Sequence, residues 1–143
     1  MKKKLLIIFI IVLWNNLGQA FPFVKLDEYL KNNSASDPSV TIYLFNRCAA
    51  LSQFLSAISY ERNKDLAEQY QNRQFAFLMS ATKIQQKLFN VKEEKAMEDL
   101  TKIQRQMAEL YREEGNRSYI SSGSHLNESI NVDRNICDYF GKK

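Results

Sequence analysis

Three kinds of residue in this 143-residue chain could carry chemistry: one arginine among apolar neighbours, two cysteines and one histidine. Arg47 is the only charged residue between Pro38 and Tyr60. On a helical wheel it falls among Val40, Tyr43, Leu44, Leu51 and Phe54, in the middle of an apolar stripe. A guanidinium placed there must find acceptors, because an unpaired buried charge is strongly destabilising. Asp133 holds the equivalent place in the last segment, on one face with Ile130, Ile136, Cys137 and Phe140. Three readings follow. Arg47, with Tyr43 and Asp133, lines a polar pocket that binds an anionic group. Alternatively, Arg47 and Asp133 form a buried ion pair that fixes how the last segment docks. In the third, Asp133 caps a helix starting at Arg134.

Cys48 and Cys137 are the only cysteines. Two thiols in an exported chain pair, so the expectation is one intramolecular disulfide acting as a staple. With both thiols paired, His125 alone cannot assemble a zinc site. Glu-x-x-His pairs for a di-iron centre are missing, as are Cys-x-x-Cys-His, Gly-x-Ser-x-Gly and glycine-rich phosphate loops. The expectation is no metal, no cofactor and a leaning away from catalysis. The acidic pairs Glu93–Glu94 and Glu113–Glu114 read as solvated surface at the two ends of a helix.

Export is read from the first twenty residues. Lys2–Lys4 give a basic start, Leu5–Trp14 an unbroken apolar run, and Gly18 and Ala20 the small residues a signal peptidase requires. The run is about half the roughly 20 residues of a spanning helix. The pattern predicts cleavage after Ala20, no stable membrane anchor afterwards, and a periplasmic or secreted product. The mature part, residues 21–143, is long enough for one domain. Its formal charge falls from +4 to +1 as three lysines leave, which argues against nucleic-acid binding.

The elements that must position Arg47, Asp133 and the cysteines read as helices. No glycine lies between Phe21 and Glu114, and the prolines are Pro22 and Pro38. A β-rich domain would need more of both at its turns. Residues 21–30 suit a short docking helix. Asp37–Pro38 starts a long one, whose apolar residues Val40, Leu44, Cys48, Leu51, Leu55 and Ile58 recur at three- and four-residue spacing. This helix, with small uncharged residues opposite, is expected at the centre of the domain. A second runs through Leu66, Tyr70, Phe77, Ala81, Ile84 and Leu88 to Asn90. A third carries Ala96, Leu100, Ile103, Met107 and Leu110 and is expected to stop at Gly115. Residues 119–124 are expected to be loop. A last short helix within 130–141 brings Cys137 back to the centre.

The fold expected is therefore all-α: a small bundle of three long helices with short N- and C-terminal helical segments and one disulfide. Phe75 and Met79 lie off the main stripe of the second long helix. That second apolar side is either covered by the N-terminal segment or open to a protein partner. The function expected is binding or interaction without catalysis. The alternative is a small-ligand binder or enzyme with its pocket at Arg47.

Overall fold

Local capping chemistry sets the helix boundaries in the structure, a computed structural model that describes residues 23–142. The predicted leader and cleavage site lie outside the described residues. Among the described residues five helices follow in order: α1 (Leu26–Asn32), α2 (Pro38–Ser59), α3 (Lys64–Phe89), α4 (Glu93–Ser122) and α5 (Glu128–Phe140). Asp37 Oδ1 accepts from the Ser39 N–H at 2.8 Å, and Pro38 occupies the first turn of α2. Asn63 and Asn127 cap α3 and α5 by accepting from Leu66 N and Ile130 N. Asn90 closes α3 in the left-handed conformation, with φ 52°. Three long helices with short terminal ones and a Cys48–Cys137 disulfide are the architecture read from the sequence.

The helix α2 is the centre. Thirteen of its 22 residues are buried, and they include Asn46, Arg47, Ser52 and Ser56 as well as apolar side chains. Neighbours on several sides explain this: α3 packs along it, α4 packs against both, and α5 is stapled to it through the disulfide. Small residues let the helices approach, and polar side chains fix their register. Ser56 Oγ donates to Ala67 O at 2.9 Å across the α2–α3 contact, and Asn46 Nδ2 donates to Leu100 O at 3.2 Å across α2–α4. Gln104 Nε2 donates to Gln53 Oε1 at 2.8 Å in the same interface. No strand occurs among the described residues, and none of their helices is long and apolar enough to cross a membrane.

Three expectations need correction. Gly115 does not end α4; the helix runs on to Ser122 and closes at Gly123, whose φ of 73° suits a residue without Cβ. Gly115 is inside because Phe54 needs the space: a Cβ there would lie 2.6 Å from Phe54 Cζ. Gly115→Ala is therefore expected to destabilise, by about 1 kcal/mol once helix propensity offsets part of the overpacking. Urea unfolding midpoints measure it. Secondly, residues 119–122 are helical, so the predicted loop shrinks to 123–127. Thirdly, the buried stripe of α4 is Ala96, Leu100, Gln104, Ala108, Tyr111, Gly115 and Ser118. Ile103, Met107 and Leu110 are only partly buried beside it. The apolar pattern pointed to one flank of that stripe because its middle is made of polar and small residues.

Candidate functional site

Four segments distant in sequence converge on Arg47, halfway along α2. The disulfide holds α5 against α2 with a Cα–Cα separation of 5.4 Å at Cys48 and Cys137. One turn earlier on α5, this brings Asp133 to Arg47. Asp133 sits well inside α5, so the capping reading is overturned: Asn127 is the cap. The extended residues preceding α1 pass over the pair, and α4 contributes Tyr111 from behind.

The donors of Arg47 point in several directions, and each direction holds an acceptor. Nε donates to Tyr111 Oη at 2.7 Å, and Nη1 donates to Tyr43 Oη at 2.9 Å. Nη2 donates to Val24 O and to Asp133 Oδ2, both at 2.8 Å. The rings of Phe23 and Tyr111 lie 4.8 and 5.0 Å from the guanidinium carbon, so their faces add cation–π attraction. Asp133 is equally occupied. Oδ2 also accepts from the Tyr111 hydroxyl at 2.6 Å, and Oδ1 accepts from the Leu26 N–H at 2.7 Å. That N–H opens α1, so a carboxylate on α5 caps α1 from outside its own sequence. Side-chain exposure is 6% for Arg47 and 0% for Asp133.

Electrostatics keeps the cluster in one protonation state. Burial opposes the charge on Arg47, but the oxygens of Tyr111, Tyr43 and Asp133 outweigh it and hold the guanidinium proton more tightly than usual. Burial pushes the Tyr111 phenol well above its ordinary value, with Arg47 pulling the other way. Tyr111 therefore remains a donor to Asp133. A raised pKa in the fold gives stability that is complete below the ordinary phenol value of 10.0 and lost as pH climbs beyond it. Wild type should lose stability more steeply than Tyr111→Phe above that pH. The same substitution should cost about 1–3 kcal/mol near neutrality, since Arg47 Nε loses its acceptor. Unfolding curves across alkaline pH check both.

The cluster brings together Arg47, Asp133 and Tyr43 from the sequence reading and adds three hydrogen-bond partners it lacked, Tyr111, the Val24 carbonyl and the Leu26 N–H. Tyr111 lies seven residues after Gln104 on the buried face of α4, a spacing that could have revealed it. The Val24 carbonyl is backbone and leaves no mark in the sequence. Chemically, the arrangement joins α1, α2, α4 and α5 at one point. The clefts on the surface are elsewhere, one between α3 and α5 beside Arg73 and another between α2 and α4 beside His125. Among the described residues, no three His, Cys, Asp or Glu side chains gather closely enough to hold a metal ion.

Phe75, placed off the main stripe by the sequence reading, is 62% accessible on α3, and Met79 is half-buried next to it. The N-terminal segment does not cover them. It packs on α5 and over Arg47 instead, because the acceptors and donors that anchor it are there.

No protein-family model matches the chain, and no curated protein and no solved structure is significantly similar to it.

Proposed function

We propose that this is an exported, non-catalytic binding protein that engages a protein partner through the exposed side of α3 around Phe75. One observation carries the reading: a phenylalanine 62% exposed in the middle of a 26-residue helix, with Met79 one turn on. A ring left in water on a rigid helix forgoes about 1.5–3 kcal/mol of burial, which a partner can supply. The polar cluster at Arg47 supports a non-catalytic role, since its charges bind one another. The disulfide suits an oxidising, extracytoplasmic compartment. The basic, apolar and small-residue order of residues 1–20 supplies the route there, with release at Phe21.

Two measurements test this reading. Mass spectrometry of the processed protein should find a chain starting at Phe21; residues 1–20 still attached would remove the export step. A photocrosslinker placed at Gln71, one turn from Phe75, should trap a defined protein in cells. Phe75→Glu should unfold within about 0.5 kcal/mol of wild type, as exposed substitutions do, and lose that adduct. An undiminished adduct in Phe75→Glu, or none in wild type, would reject the surface.

A further inference from the structure

The helices α2 and α4 leave a cleft of 410 Å³ between them over the last turns of α2. We infer that it is a binding site for a small, non-anionic, planar aromatic molecule carrying one hydrogen-bonding group, of the phenol or indole kind. The inference deepens the binding role proposed above by adding a ligand, at a place separate from Phe75.

Size and lining come first. Sites for small molecules span about 300–1,000 Å³ and combine apolar walls with a few polar groups. Here Phe54, Ala57 and Ile58 of α2 and Ala108 of α4 supply the apolar part. Phe54 is fixed rather than loose. Its ring lies on the bare backbone of Gly115 and stacks on Tyr111 at 6.2 Å and 21°. A rigid apolar wall favours a flat guest, which gains contact at little entropic cost.

The polar side of the cleft selects against anions. Arg112 Nε donates to Glu109 Oε2 at 2.7 Å, so those two charges on the α4 wall satisfy each other. Glu61, also on the wall, is an exposed carboxylate that repels anions. His125 supplies the hydrogen-bonding feature. Its ring is stacked on Tyr119 at 4.5 Å and 13°, and its Nδ1 is shut off from solvent with no hydrogen-bond partner among the described residues. Buried polar atoms are seldom left unmet. Imidazole can accept or donate there according to its tautomer. A phenolic O–H or indole N–H in the cleft would meet that need once the imidazole turns its Nδ1 edge towards the guest.

The test uses indole and phenol as probes, with benzoate as the charged counterpart, on the oxidised protein by two-dimensional amide NMR. Saturable shifts are expected at Ala57, Ala108 and His125, with benzoate at least about tenfold weaker. Ala57→Leu fills the cleft from an exposed position and should abolish those shifts while leaving the unfolding midpoint unchanged. His125→Phe keeps the stack on Tyr119, removes the nitrogen and should weaken indole about tenfold. Phe75→Glu should bind indole as wild type does, so failure of the α3 surface and failure of the cleft are read separately. No saturable shift at the cleft up to about 10 mM probe, or undiminished binding by Ala57→Leu, would overturn the proposal. Benzoate binding as tightly as indole would overturn the ligand class.

Discussion

Asp133→Ala is expected to be among the most damaging single substitutions in the domain, at about 3–5 kcal/mol of lost stability. The reason is the company the carboxylate keeps. Its removal leaves the Arg47 guanidinium in a site where its side chain is 6% exposed, with no anion to balance it. Tyr111 loses its acceptor, and the Leu26 N–H at the start of α1 loses its cap. Whole domains are stable by only about 5–15 kcal/mol, so this one change consumes a large part of the total. Arg47→Met is expected to cost less, about 2 kcal/mol. Methionine fills the volume and takes the charge away with its need for acceptors, while Asp133 keeps the Tyr111 hydroxyl and the Leu26 N–H. Denaturant midpoints of the two variants order them directly. An Asp133→Ala variant as stable as wild type would mean that the cluster does not hold the fold together. Should Arg47→Met prove the worse of the two, the stranded Asp133 carboxylate and the lost cation–π contacts with Phe23 and Tyr111 would outweigh the stranded guanidinium.

Much of this arrangement is legible in the sequence, and the illegible parts have physical reasons. A lone arginine in a 22-residue helix announces a need for acceptors, and an aspartate four residues before a cysteine is an obvious supplier once the cysteines pair. The caps at Asp37 and Asn90 follow from side chains that bond locally or tolerate a positive φ. Gly115 misleads because a glycine that ends a helix and a glycine that admits a neighbouring ring look alike along the chain. Only the position of Phe54, far away in sequence, tells them apart. The buried stripe of α4 misleads for a related reason. Gln104, Tyr111 and Ser118 are buried because each finds a polar partner outside its own helix, in Gln53, in the Arg47–Asp133 pair and in the Ser124 carbonyl of the loop that follows. Periodicity of apolar residues cannot register that. The path of the N-terminal segment is hidden altogether, since backbone groups of Val24 and Leu26 hold it.

Breaking the disulfide is the second large effect expected, and its consequences should be concentrated in α1 and α5. The bond spans 89 residues of sequence, and chain entropy assigns such a closure about 4–5 kcal/mol. For a domain of this size that corresponds to a fall in Tm of roughly 15 °C. Without the bond, α5 is held by the Arg47–Asp133 pair and by Arg73, whose Nη1 meets Asp138 at 2.7 Å and whose Nη2 donates to Cys137 O at 3.2 Å. Between α2, α3 and α4 the packing does not depend on the cysteines. A Cys48→Ala/Cys137→Ala variant should therefore keep slow amide exchange in the middle of α2 and α3 and lose it first in α1 and α5. Because Asp133 and the bond both hold α5 to α2, their losses should not add. In the cysteine-free background Asp133→Ala should cost clearly less than it does in the oxidised protein, since α5 is then already partly released and Arg47 can reach water. Equal costs in the two backgrounds would show that α5 stays docked without its staple. The disulfide would then act on the unfolded chain alone.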